Sequence, residues 1–186
     1  MKGSTGKEMM RFNLTANSVE DITVSALSIT LEQSDGTNAV ANDFTNVKLL
    51  KSDGTQLGST DADGGATVAF SFNLTVPASQ TVTLKVIADI PTGTTLPAAG
   101  GYFEFTPTTA GDITSTGVSS SASITETGAV VRGKTMAVGE GSLSISAAAI
   151  PGDQTVIIGS TEVPIVGLVM TAGSAEDVRV TRVKLT

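Results

Sequence analysis

Alternation of apolar and polar residues dominates the middle of the chain. Within Ala66–Val76 every second residue is Val, Phe or Leu, and the intervening residues are Thr, Ala, Ser or Asn. Gln80–Ile90 repeats this period with Val, Leu, Ala and Ile. Since side chains of a β-strand alternate between its two faces, the pattern predicts two antiparallel strands, each buried on one face. Residues 77–79 connect them.

Shorter segments with β character flank this pair, and turn residues such as Asp-Gly separate them. In Glu20–Glu32 the alternation shifts by one residue near Ala26, which predicts a β-bulge there. No amphipathic helix is indicated. The remaining predicted strands are Met9–Thr15, Phe44–Leu50, Gln56–Gly58, Tyr102–Thr106 and Ala129–Val138, with one or two short edge strands within 110–127.

These patterns predict an all-β fold for residues 1–140, an immunoglobulin-like antiparallel β-sandwich of about seven to nine strands. A closed barrel fits less well, because small barrels usually have shorter loops. Residues 139–141 (Gly-Glu-Gly) are the expected linker. Opening strands of a second repeat are expected after it, at Leu143–Ser146, Val156–Ile158, Pro164–Met170 and Glu176–Leu185.

The chain contains an internal repeat. Residues 159–186 align without gaps on residues 3–30 at a constant offset of 156, with ten of 28 positions identical. Residues 1–140 are therefore interpreted as one repeat, and 141–186 as the start of the next or as a strand-donating tail. On that phasing the first repeat lacks its own opening strand, the counterpart of 141–158.

Composition narrows the classes of function. Apolar residues make up 40%, but aromatic residues only 4%, so the core must be built from aliphatic side chains and a few Phe. The net charge is −7 and the 11 Lys and Arg form no cluster, which argues against a nucleic-acid surface. No segment approaches the roughly 20 apolar residues of a membrane helix, so membrane insertion is not expected.

Catalytic chemistry has few candidates in this chain. His and Cys are absent, which removes most nucleophile–base pairs and the usual transition-metal sites. Paired carboxylates remain, but a glycosidase cleft would need two that face each other, normally beside aromatic platforms. We expect no enzymatic activity and no cofactor.

Weak calcium sites are conceivable, because alternate carboxylates can converge on a hard cation. The motif Asp61-Ala-Asp63-Gly-Gly starts like a calcium loop but lacks a distal Glu, and a solvated turn is the simpler interpretation. Glu20-Asp21 and its copy Glu176-Asp177 stand at strand starts in both repeats. They could bind calcium at a domain junction, or could cap turns through bonds to backbone amides.

Three stretches together resemble an Ig-like repeat module of large bacterial cell-surface and surface-layer-like proteins, notably from uncultured lineages with small genomes. They are FNLTANSVEDI at 12–22, NVKLLKSDGTQLG at 46–58 and TLKVIADIP at 83–91. The resemblance covers nearly the whole chain and its motifs are structural. It implies an extracellular location at the cell surface and brings no catalytic residues.

The phasing predicts how such chains join. A sandwich that lacks one strand leaves backbone groups unpaired beside an apolar groove, and the start of a second unit cannot bury its apolar faces alone. Either flanking repeats of a longer array complete both edges, or separate copies complete one another by strand addition, as a homo-polymer. The expected assembly residues are Leu143, Ile145, Val156, Ile158, Ile165, Leu168, Met170, Val178, Val180, Val183 and Leu185.

The sequence thus favours a structural repeat of a bacterial surface stalk, layer or filament, whose partners are adjacent repeats or other copies of itself. The alternative is an adhesin or carbohydrate-binding module that uses loops at one end of the sandwich. An exposed patch containing Tyr102 or Phe103 would favour the alternative, because sugars stack on exposed aromatic rings. Burial of both would count against it.

Overall fold

The computed structural model describes residues 2–33, 36, 43–96, 100–139, 141–175 and 177–185. Within these ranges the chain is all-β, and none of them holds a helix of the length and hydrophobicity needed to cross a membrane. Eleven strands follow one another: β1 Ser4–Thr15, β2 Ile22–Gln33, β3 Thr45–Lys51, β4 Gln56–Asp61, β5 Thr67–Val76, β6 Thr81–Ile90, β7 Gly101–Phe105, β8 Ile113–Gly117, β9 Val131–Arg132, β10 Leu143–Ala147 and β11 Leu168–Ala172.

The chain divides into two compact units, Met1–Val138 and Gly139–Thr186. The first contains β1–β9 and the second contains β10 and β11. Among the described residues, every buried hydrophobic side chain belongs to the first unit, between Met9 and Val138. That unit therefore has its own hydrophobic core. The interpretation of the second unit as the start of a repeat or as an assembly tail stays a prediction.

Two antiparallel sheets form the first unit. One has the strand order β1-β6-β3-β4, and the other has the order β5-β2-β7-β9. Strand β8 pairs with the first part of β2 and β7 with its last part, so both lie along the same edge of β2. This arrangement confirms the predicted all-β, immunoglobulin-like β-sandwich.

Strand β2 shows why the sequence alternation shifts. Its register shifts between Val24 and Ala26 against both β5 and β8. Ile22 and Val24 before the shift are buried, and so are Leu27 and Ile29 after it. The irregularity keeps both sets of apolar side chains on the core face, which confirms the predicted β-bulge.

Aromatic contacts link the two layers of the core. The rings of Phe12 in β1 and Phe105 in β7 meet edge to face, with centroids 5.0 Å apart. Phe44, just before β3, packs against Phe103 of β7 at 5.4 Å. Such pairs add about 0.5–1.5 kcal/mol beyond the burial of their area. The few Phe residues thus fasten one sheet to the other, while aliphatic side chains fill the rest of the core.

Strand β1 is longer than the sequence predicts, because it begins at Ser4 and not at Met9. Residues 4–8 are polar and give no alternation signal. Gly6 donates its N–H to the Asp89 carboxylate at 2.6 Å, a bond to the neighbouring strand that involves no apolar side chain. Pairing in this part of β1 is correspondingly irregular, with register shifts up to Met10.

The prediction of a continuous strand over Ala129–Val138 is wrong. Only Val131 and Arg132 pair with β7, and one further bridge joins Met136 to Gly101. Between them lies Gly133, where an added Cβ would come within 2.5 Å of the Met9 carbonyl oxygen. Gly133 still donates its N–H to the Phe103 carbonyl at 2.8 Å, so the regular pairing with β7 ends after this residue and resumes only at the Met136 bridge.

Predicted strands of the second unit are also partly wrong. Val156–Ile158 forms no strand, and neither do residues 177–185; Glu176 lies outside the described residues. Pro164–Met170 was expected, but the strand is shifted to Leu168–Ala172. A strand exists only where a neighbour supplies hydrogen bonds. In the described part of this unit, the paired strands are β10 and β11.

Candidate assembly site

Exposed apolar side chains are concentrated in the second unit. Among the residues that the structure describes, the exposed large hydrophobic side chains of the first unit are those of Val19, Val118 and Val130, and all the others belong to the second unit. The predicted assembly residues are exposed here, except for Val178, which is half-buried. Exposed fractions reach 84% at Ile165 and 102% at Ile158. Burying one such side chain is worth about 1.5–3 kcal/mol, so this surface gains considerably from a partner.

The second unit is a two-stranded hairpin, in which β10 and β11 pair antiparallel over five residues each. Hairpins of two strands are at best marginally stable in water, because one face and both outer edges stay solvated. All residues of β10 and β11 are exposed. The hairpin therefore resembles the beginning of a sheet more than a finished domain.

The first unit has an open edge at β1, the outermost strand of its sheet. We use "open edge" for residues 12–16, the last part of β1 and the residue that follows. Asn13 and Thr15 project to the exposed face, whereas Phe12 and Ala16 are buried and Leu14 is half-buried. An outermost strand presents unpaired backbone groups along its outer side and is a template for pairing.

A cavity of about 380 Å³ lies beside the open edge, between the two sheets. Its apolar lining comes from both layers and from the segment after β8. The residues concerned are Leu14, Ala16, Ile22, Val24, Val76, Phe105, Ile113, Ile124 and Val131. Polar groups are also present: the buried Ser115 hydroxyl donates to Glu126 at 2.7 Å. The core is thus incompletely filled next to the open edge.

The carboxylates of Glu20 and Asp21 hold two different turns. Glu20 accepts the N–H groups of Ser119 and Ser120 at 2.9 and 3.0 Å, and the Ser120 hydroxyl at 2.7 Å. Hydrogen bonding from Ser120, its hydroxyl first, lowers the pKa of Glu20. Asp21 accepts the N–H of Ala78 at 2.8 Å. This is the geometry of turn capping, and a calcium ion would have to displace these bonds.

Asp61 is likewise engaged in a turn, because its Oδ1 accepts the N–H groups of Asp63 and Gly64 at 3.1 and 2.8 Å. The strand pairing puts this turn at the opposite end of the sandwich from Glu20 and Asp21. The two candidate pairs are therefore not brought together. Over the described ranges, no group of three or more acidic residues is arranged to hold a metal ion.

The copied pair in the second unit cannot be compared with Glu20-Asp21. Glu176 lies outside the described residues, and Asp177 is exposed in a segment without strand pairing. Calcium binding at this pair stays a prediction.

The two aromatic residues considered for sugar stacking, Tyr102 and Phe103, are both engaged in contacts within the first unit. Phe103 is fully buried in the core. The Tyr102 ring is covered by the Arg132 guanidinium, 4.4 Å from its centroid, and its hydroxyl donates to Glu32 at 3.0 Å. Arg132 is in turn held by Glu104 at 2.8 Å. Phe103 presents no open face, and the Arg132 guanidinium covers one face of the partly buried Tyr102 ring, which counts against the carbohydrate-binding alternative.

The sequence predicted a groove at a missing strand but did not locate the open edge or the cavity. The signal lay in the internal repeat, since residues 12–16 are the counterparts of Leu168–Ala172. A search of known protein families, of curated proteins and of solved structures finds no match to this chain.

Proposed function

We propose that this chain is a structural repeat of an extracellular bacterial stalk, layer or filament, joined end to end through β-strand contacts with other copies of itself. Its role is mechanical and not enzymatic. The observation that carries the proposal is the contrast between the two units: the first buries a core, and the second exposes nearly all its apolar side chains.

Two features of the first unit support the same role. The unit offers an open edge beside a cavity with a mixed apolar and polar lining, which is the kind of site that takes an added strand. Its carboxylates at the ends of β-strands are used to hold turns, so they serve rigidity. A rigid first unit followed by a second unit with exposed apolar side chains is suited to end-to-end assembly.

Size-exclusion chromatography with light scattering on the full chain and on a 1–140 truncation tests the proposal. The full chain should self-associate increasingly with concentration, because its apolar tail is then buried between copies. The truncation keeps every buried core residue of the described ranges and should stay monomeric. Two samples that remain equally monomeric and equally stable would contradict end-to-end assembly.

A further inference from the structure

The second unit shows which strand pairs with the counterpart of the open edge. In the hairpin, Leu143 lies opposite Ala172 and Ala147 lies opposite Leu168. Subtracting the repeat offset of 156 places β11 on residues 12–16 of the first unit. The chain therefore contains both a copy of the open edge and the strand that pairs with that copy.

Backbone directions in the two units agree with this equivalence. Gly173 donates its N–H to the Ser142 carbonyl at 2.8 Å, so every second residue of β11 before it directs its backbone groups towards β10. In the first unit Ala16 donates its N–H to Gln80 at 3.1 Å, on the β6 side. Thr171, two residues before Gly173, is the counterpart of Thr15. By the same alternation, the N–H and C=O of Thr15 point away from β6, to the outer side of the open edge.

Side-chain alternation also matches. Leu143, Ile145 and Ala147 share one face of β10, and Ser144 and Ser146 share the other. Paired residues of neighbouring strands project to the same face. The register transferred from the hairpin sets Ile145 opposite Leu14, which lines the cavity. It also sets the serines opposite the exposed polar residues of β1.

We propose that the open edge binds β10 of a second copy of this chain, antiparallel, with Ser144 opposite Thr15 and Ser146 opposite Asn13. This inference rests on the proposed function and adds its acceptor, its donor strand and its register. Leu143 and Ile145 enter the cavity. Strand β10 thereby exchanges its pairing with β11, in a hairpin that buries little surface, for pairing with the edge of a complete sheet. Donor and acceptor are different surfaces, so the contact repeats head to tail.

Disulfide cross-linking tests the register, because the chain has no cysteine of its own. Full-length chains carrying Thr15→Cys are mixed with chains carrying Ser144→Cys or, as the mismatched control, Ser146→Cys. Directly opposed residues have Cα atoms about 4.5–5.5 Å apart, within disulfide range, whereas diagonal neighbours are about 7–8 Å apart. Asn13→Cys supplies the reciprocal set, in which Ser146→Cys is the matched partner.

Under mild oxidation the matched mixtures should give heterodimers and the mismatched mixtures should give few. Equal yields from matched and mismatched mixtures would overturn the proposal. A single chain carrying both Thr15→Cys and Ser144→Cys should form a ladder of linked multimers. A cross-linked monomer would mean that the chain's own hairpin fills the edge, and would also overturn it.

Light scattering on the unmodified chain separates this inference from the proposed function. Oligomers without matched disulfides would overturn the register and leave end-to-end assembly standing. A chain that stays monomeric at all concentrations would overturn both.

Discussion

At the scale of single residues, carboxylates hold the turns of the sandwich. Glu20 fastens the turn after β8 and Asp21 fastens the turn between β5 and β6, although the two residues are adjacent in sequence. Their side chains leave opposite sides of the backbone, as expected for neighbours at the start of a strand. One dipeptide thereby anchors two loops.

Replacing Glu20 by Gln should make stability less dependent on pH. Hydrogen bonds favour the ionised carboxylate and lower its folded-state pKa from an ordinary value of 4.5. The stabilisation is therefore present at neutral pH, above that value, and is lost as the pH falls through the lowered pKa. Urea unfolding across the acid range should show the wild type more stable at neutral pH and the difference closing in acid.

Glu162→Gln is the matched control, since Glu162 is an exposed carboxylate of the second unit. It should leave the unfolding of the first unit unchanged at every pH. If the difference in free energy of unfolding between wild type and Glu20→Gln stayed the same in acid, it would contradict a turn cap that depends on the charge of Glu20.

At the scale of elements, stability should differ sharply between the two units. Strands β2 and β6 are central in their sheets and carry buried side chains such as Leu31 and Leu84. Strands β10 and β11 form a separate two-stranded sheet and are exposed throughout. Hydrogen exchange at low concentration should give slow amides in β2 and β6 and fast amides in the hairpin.

The hydrogen-exchange experiment is most informative when it is repeated at higher protein concentration. Assembly should slow the exchange of β10 amides and of Thr15, the residue whose N–H points to the open edge. Protection of β10 that is already high at low concentration would contradict a donor strand that is free to exchange partners.

Strands with strict alternation could be predicted from the sequence, because a strand that is buried on one face needs an apolar residue at every second position. The bulge in β2 could be predicted for the same reason. Where the apolar positions shift by one residue, the backbone must be irregular to keep them on the core face. The first residues of β1 could not be predicted, because polar side chains hold them. Neither could the break in pairing between Gly133 and Met136, because the partner strand β7 is distant in sequence.

The assembly site was predictable only in part. Apolar residues of the second unit were identified from the sequence as needing a partner. Which edge could accept them depends on the order of strands in a sheet, and local patterns do not encode that order. Here the repeat supplies it, because β11 and residues 12–16 are copies of one segment.

At the scale of the whole molecule, the chain carries both an open edge and the strand proposed to fill that edge in another copy. Most proteins protect an outermost strand with charges, prolines or a covering segment. The open edge here carries the polar side chains of Asn13 and Thr15, and the cavity behind them is partly lined by apolar side chains. Such an edge combines a backbone template with space for apolar side chains, which suits specific strand addition better than indiscriminate aggregation.

Sedimentation velocity on two full-length variants, alone and mixed, tests whether β10 of one copy binds the open edge of another. Ile145→Asp disables the donor by bringing a charge to the cavity. Thr15→Pro disables the acceptor, because proline removes the outward N–H while the bonds of Ala16 to β6 remain. Each variant alone should be monomeric, and the mixture should give a one-to-one dimer, since each supplies the surface that the other lacks. A mixture that stays monomeric, or a single variant that still polymerises, would contradict the account.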